Sequence, residues 1–249
     1  MAELYLYGLG IFDRLPQIET SGVHDLPVAA VNVGDFAALT SAIDADIVES
    51  RGKDLRAHNH VLEEAMEFGV VLPVRFGVIV PDKAALERTV REAEDHLLAA
   101  ANRLRDRCEV SVNAICDEEQ MLAHVTASDP ELLRLREHVK DLPEDASYFK
   151  RIELGERVAN EVEALSRAMG DRLFGDLCRE ADDCEMGRAS FPKIFSGHFL
   201  VEADKIEDFA IRAREIGGSF DIPLNIDVAG PLPPYSFVDL ELAVPAQKS

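Results

Sequence analysis

The chain has 249 residues, 47% of them hydrophobic, which is enough for one large domain or two small ones whose cores need no covalent staples. Its formal net charge of −21, from 26 basic and 47 acidic residues, repels phosphate backbones and anionic bilayers, so neither nucleic acid nor membrane is an expected partner. No run approaches the ~18 apolar residues of a membrane span, and no early segment reads as a signal peptide, which makes the cytoplasm the expected location.

The opening ELYLYGLGIF, residues 3–12, alternates and is rich in β-formers, so it predicts a strand. Residues 28–34 predict a second. Asp54 is placed to cap a helix running to about Phe68, with Leu55, Val61, Leu62, Ala65 and Met66 facing inward. Residues 70–80, VVLPVRFGVIV, predict a third strand, almost wholly apolar. Pro81 and Asp82 open a long helix whose buried stripe is Leu86, Val90, Ala93, Leu97, Ala101 and Leu104. Residues 109–116 predict a fourth strand and close a compact α+β unit.

A helical stretch interrupted at Asp129 and Pro130 follows. From Tyr148 to about Arg179 a long helix carries Val158, Val162, Leu165, Met169, Leu173 and Leu177 on one side. Gly155, Gly170 and Gly175 each weaken it by roughly 1 kcal/mol relative to alanine, which predicts a kink near Gly170. Two strands at 184–190 and 194–202, a helix at 204–216 and a strand at 222–228 complete the order α-β-β-α-β, most of a ferredoxin-like unit. The expected division is an N-terminal α+β domain at 1–116, a helical connector at 117–146, a ferredoxin-like domain at 147–229, and a proline-rich hinge with a last strand at 230–249.

Chemistry-bearing motifs are scarce. There is no GxGxxG, no P-loop and no GxSxG. Cys108, Cys116, Cys178 and Cys184 form no CxxC pair and have no metal-ligand spacing with the seven histidines, so they read as reduced thiols. In RAHNHVLEE, residues 56–64, His58 and His60 point about 200° apart on a helix and cannot share a metal. His60 and Glu64 are four apart and can meet, but the sequence nominates no third ligand; a surface pair is the plainer reading. No metal or other cofactor is expected.

Arg75 lies between Val74 and Phe76 in the most apolar stretch. An arginine there must pair, snorkel or line a pocket. It is expected to be structural, paired with Glu63, Glu64 or Glu67; an anion-binding role is the alternative. The closing stretch GPLPPYSFVDLEL, residues 230–242, poses a similar choice. Gly230, Pro233 and Pro234 make a rigid turn, and prolines do not sit inside a sheet ladder. The turn either aims a last strand at its docking site or presents Tyr235 and Phe237 as an aromatic patch, and the two are compatible.

Four segments then add up: LYLYGL, RAHNHVLEEAMEFGVVLPVRFG, FLVE ahead of a helix, and GPLPPYSFV. In this order, from about residue 4 to 238, the chain resembles the GvpF/GvpL family of gas vesicle proteins. It departs from the family pattern at Leu232, where tryptophan is frequent, and at Ser196-Gly197-His198, where the usual reading is Asn-Ala-Ala. The resemblance implies two α+β domains, the second a modified ferredoxin-like fold with a long helix. It also implies a non-enzymatic role in gas vesicle formation, as an assembly factor or minor vesicle component in the cytoplasm or on the vesicle. The implied partners are the small apolar shell protein GvpA and other gas vesicle accessory proteins. Tyr235, Phe237 and Leu232 are then the candidate partner contacts, with Arg75, Pro233, Pro234 and Gly230 structural. A small-molecule-binding regulatory module of ferredoxin-like type is the alternative.

Overall fold

The computed structural model describes residues 3–44, 48–49, 51–141 and 143–239. In chain order the elements are β1 (Glu3–Phe12), β2 (Ala29–Val33), β3 (Phe36–Ile43), α1 (Gly52–Met66), β4 (Gly69–Pro73), β5 (Ile79–Val80), α2 (Lys83–Glu92), α3 (Glu94–Leu104) and β6 (Arg107–Cys116). There follow α4 (Glu118–Ser128), α5 (Pro130–Asp141), α6 (Glu144–Leu177), β7 (Asp183–Met186), β8 (Lys193–Glu202), α7 (Ile206–Gly218) and β9 (Leu224–Leu232). The fold is α+β, as expected. Two compact units share the chain: residues 1–109 with 231–249, and residues 110–230. The chain leaves the first unit inside β6 and re-enters it inside β9.

The first unit is built on an antiparallel sheet in the order β2-β3-β1-β4, with β5 also on β1. β1 is the spine, and Tyr5 through Leu9 are buried. Its register against β3 shifts between Leu6 and Gly8, a bulge at Tyr7. Gly8 is required there: a Cβ would lie 2.8 Å from both Leu62 Cδ2 and the Leu72 carbonyl oxygen. β3 was not anticipated. FAALTSAI does not alternate because seven of its eight residues are buried in the sheet interior. The signal for it is the two-residue Gly34-Asp35 link, with Gly34 at φ 61° and Val33 paired to Phe36, a tight hairpin.

Residues 70–80 are not one strand. β4 ends at Pro73, a turn follows, and β5 is two residues long. The expected single helix after Pro81 is two, broken at Ala93 (φ −107°, ψ 8°), although Asp82 caps the first as anticipated.

The second unit corrects the domain assignment. Its sheet runs β7-β8-β6-β9, so β6 is the first strand of the ferredoxin-like unit and not the last of the N-terminal domain. Strands numbered 1 to 4 within this unit lie in the order 2-3-1-4, with α7 in the second crossover. The modification is in the first crossover, where α4, α5 and the 34-residue α6 replace one helix. Residues 117–146 therefore belong to the crossover and are not a separate connector. α6 runs through Gly170 without the expected break. A Cβ there would sit 2.8 Å from the Ile194 carbonyl oxygen, so this glycine lets the helix lie close against β8. Leu173, Leu177, Phe195, Phe199 and Phe209 form the centre of this unit's core.

Two of the four cysteines are not thiols. Cys178 and Cys184 form a disulfide with Cα atoms 5.7 Å apart, joining the end of α6 to β7. Cys108 and Cys116 form no disulfide with each other and are buried. The last expected strand is absent where it is described: Tyr235–Phe237 is a 3-10 turn, and residues 240–244 lie outside the described residues.

Candidate functional site

α1 turns Asp54, His58, Val61, Leu62 and Ala65 inward, a spacing of four, three, one and three that makes a single helical stripe. Leu55, expected in that stripe, is exposed. Asp54 is not the cap: it lies inside the first turn, and its Oδ1 accepts the His24 N–H at 2.9 Å. His58 Nε2 lies 3.1 Å from the Val74 carbonyl oxygen, which only accepts, so Nε2 carries the proton. Nδ1 then accepts from the Tyr5 hydroxyl at 2.8 Å. The Tyr5 oxygen accepts in turn from Gly77 N–H at 3.1 Å. Beside it, Val23 N–H donates to the Tyr7 oxygen at 2.9 Å, Tyr7 donates to Ser41 Oγ at 2.9 Å, and Ser41 donates to the Pro27 carbonyl at 2.9 Å.

The rings of Tyr5, Tyr7 and Phe76 stand 5.7, 5.3 and 5.7 Å from that of His58. Burial pushes the His58 imidazole down to about 4, with the bond to Val74 offsetting part of the effect. It is thus neutral at pH 7, and both nitrogens are engaged. A general base needs a free lone pair within reach of a substrate proton; His58 has none. The network is complete and inward-facing, as a structural core network is.

The hinge closes this network. Pro233 and Pro234 are buried, and Tyr235 stacks over His58 with centroids 6.4 Å apart. Its hydroxyl donates to Asn59 Oδ1 at 3.0 Å. Ser236 donates twice to the buried Glu109 carboxylate, from its N–H at 2.8 Å and from Oγ at 3.0 Å. Phe237 is only 8% exposed, whereas Tyr235 and Leu232 are half-buried and Gly230 is exposed within β9. Three of the four segments that carried the family resemblance supply Tyr5, Tyr7, His58, Asn59, Val74, Gly77 and Tyr235 to this network; the fourth, residues 199–202, lies in the second unit.

The other nominated residues are elsewhere. His60 is on the surface and bonds Glu63 at 2.8 Å, not Glu64. Glu64 instead accepts the N–H groups of Glu19 and Thr20 at 2.7 and 2.9 Å, tying down the loop after β1. No group of three or more metal-binding side chains occurs among the described residues. Arg75 is exposed in the turn after β4, and among the described residues it makes no ion pair, so its expected pairing with Glu63, Glu64 or Glu67 is not formed. The turn at Pro73 lifts it out of the apolar run that suggested burial.

Residues 3–239 match the family of gas vesicle synthesis proteins GvpL/GvpF. The chain belongs to this family. Gas vesicle protein F of a Streptomyces species is 36% identical over 239 residues, covering 94% of this chain and 99% of that one. Gas vesicle protein F of Dolichospermum flosaquae is 25% identical, with 96% and 98% covered. The crystal structure of GvpF from Anabaena superposes with a TM-score of 0.80 at 23% identity, over 96% of this chain and 99% of that one, which shows the shared fold. Membership places the protein in gas vesicle formation. No helix among the described residues is long and apolar enough to cross a membrane.

The second unit of this GvpF/GvpL-family protein holds a feature that the sequence reading missed. A groove of about 720 Å³ follows α6 from Gly155 to Asp171, walled opposite by the β7–β8 connection and the start of β8. The available signal was Gly155, a mid-helix glycine without an evident packing role.

Proposed function

We propose that the protein acts without catalysis in gas vesicle formation, binding the small apolar shell protein GvpA as an assembly factor or minor vesicle component. The observation that carries this reading is the closure of the His58 network. The side chains best equipped for acid–base chemistry are consumed by internal hydrogen bonds, in a chain whose family works in gas vesicle formation. The net charge of −21 suits such a role, because it keeps a complex with an apolar client soluble. At the hinge, Leu232 and the accessible part of Tyr235 are left to contact the partner, while Phe237 anchors the segment. The protein works in the cytoplasm or on the vesicle. Greater identity to a Streptomyces protein F, 36%, than to a Streptomyces protein L, 23%, supports an F-type role.

Co-expression of the tagged chain with GvpA tests this. GvpA is expected in the soluble fraction and retained with the tag, and neither effect is expected with an unrelated protein of similar charge. Equal solubility of GvpA with both proteins would overturn the reading.

A further inference from the structure

β7 is the least packed strand of the second unit's sheet. It lies at the end of the order β7-β8-β6-β9, so β8 is its one strand neighbour among the described residues. None of its four residues is buried, whereas β6, β8 and β9 each bury two or more. An edge strand held by ladder hydrogen bonds without apolar packing is of low local stability, and such segments open first. One end of the β7–β8 hairpin is fastened by Gly187 N–H, which donates to the Ser196 carbonyl at 2.8 Å. The other end is fastened by Asp182 N–H, which donates to the Leu200 carbonyl at 2.9 Å, and by the disulfide from Cys184 to Cys178 at the end of α6. Between the two cysteines, Glu180 meets Arg212 of α7 at 3.4 Å, a surface ion pair that adds little. The covalent link is the strong tether on this end of the strand.

That link is also placed to be reached. Cys178 and Cys184 are half-buried, whereas Cys108 and Cys116 are 2% and 3% exposed. Thiol–disulfide exchange needs access for an attacking thiolate, which the first pair offers and the second does not. Burial pushes the Cys108 thiol up to about 11 and raises that of Cys116, so at neutral pH neither supplies a thiolate to scramble the link. The cytoplasm keeps accessible thiols reduced, and a disulfide formed there is usually transient.

We propose that Cys178–Cys184 is a redox latch on β7. Closed, it ties the edge strand to the end of α6. A dithiol reductant of the cytoplasm opens it. One reductant thiolate attacks a sulfur, the Sγ–Sγ bond breaks, and the departing cysteine takes a proton. The reductant's second thiol gives up its proton and displaces the remaining cysteine. Two electrons and two protons pass to the chain, which ends as two thiols, and the reductant ends as a disulfide. Exchange with a small disulfide runs the same steps backwards and closes the latch. Once open, β7 peels away from its Cys184 end, and the outer edge of β8 from Gly197 to Leu200 is left with unpaired backbone groups. The latch is independent of GvpA binding; it rests on the cytoplasmic location proposed above.

The test treats the full chain with reduced thioredoxin and then with oxidised glutathione, and reads both states by alkylation with mass spectrometry and by hydrogen exchange. Thioredoxin is expected to make Cys178 and Cys184 alkylatable, and the amides of residues 182–186 to exchange at least tenfold faster, with β6 and α7 unchanged. Glutathione disulfide is expected to restore the slow rate. The double variant Cys178→Ser, Cys184→Ser should exchange at the reduced rate in either buffer; the reduced parent supplies the same comparison even where that variant folds poorly. A pair that stays closed in reduced thioredoxin is a structural disulfide. Equal exchange in the two states means that the link tethers nothing. Faster exchange throughout the second unit means unfolding instead of a local release. Each of these three results overturns the proposal. Fractionation of intact cells tests the location: a chain recovered outside both the cytoplasm and the vesicles overturns that reading and removes the reductant, a failure distinct from the other three.

Discussion

The two units handle buried polarity in opposite ways. Around His58, both ring nitrogens, two tyrosine hydroxyls and Ser41 are all answered, and the hinge folds Tyr235 over them. Along α6, Ser166 is buried and unanswered, and Gly155 faces open space. A satisfied network fixes a core. An unsatisfied group beside an open groove does not.

The strongest way to break that comparison is to remove the anchor of the hinge. Phe237→Ala deletes a buried ring and is expected to cost about 3–5 kcal/mol in denaturant unfolding. Melting like the parent would mean that the segment rests on the first unit without holding it.

Acid should act next. His58 is buried neutral with its imidazole pushed from 6.5 down to about 4, so it binds a proton less readily folded than unfolded. Its contribution is fully present above about pH 6.5 and is lost as pH falls toward 4, up to about 3 kcal/mol. Stability measured at pH 7.5 and 4.5 should fall more steeply in the parent than in His58→Gln; parallel profiles would refute the burial argument.

In the second unit, reduction of the Cys178–Cys184 disulfide, or Cys178→Ser, is expected to cost about 2 kcal/mol, because a separation of six residues closes only a short loop. An unchanged melting curve under dithiothreitol would show that the link carries no stability. Gly155→Ala runs the other way: it should stabilise by about 1 kcal/mol, since nothing surrounds the added methyl. A loss of stability would place a neighbour where the structure has none. Arg75→Ala should be the smallest effect, within about 0.5 kcal/mol, because the side chain is exposed. A melting point several degrees lower would restore the buried ion pair that the sequence suggested.

Most of the element types were legible because their periodicity is local. α7, α4 and β8 follow their patterns closely. What escaped was set by distant neighbours. β6 reads as a strand from its own residues, but only its place between β8 and β9 assigns it to the ferredoxin-like unit. β3 hides because full burial removes the alternation that marks a half-buried strand. His58 was weighed as a ligand, and its role depends on Tyr5, 53 positions away, and on Tyr235. Arg75 misled because Pro73 ends the strand two residues earlier, a break visible in the sequence but outweighed by the apolar run around it. The groove was barely legible: Gly155 was a signal in the sequence, but Ser166 signifies nothing until the space beside it is seen.

The first unit is discontinuous, and this orders events on the ribosome. Glu109 receives the hydrogen bonds of Ser236 from 127 residues later in the chain. At typical elongation rates that interval is on the order of ten seconds, and the second unit's last strand, β9, is made only at its end, just ahead of Ser236. Throughout it the His58 cluster lacks Tyr235, and the nascent chain carries an unfinished domain. The closing stretch therefore finishes both folds almost together: β9 completes the ferredoxin-like sheet, and the turn that follows it brings Tyr235 to His58.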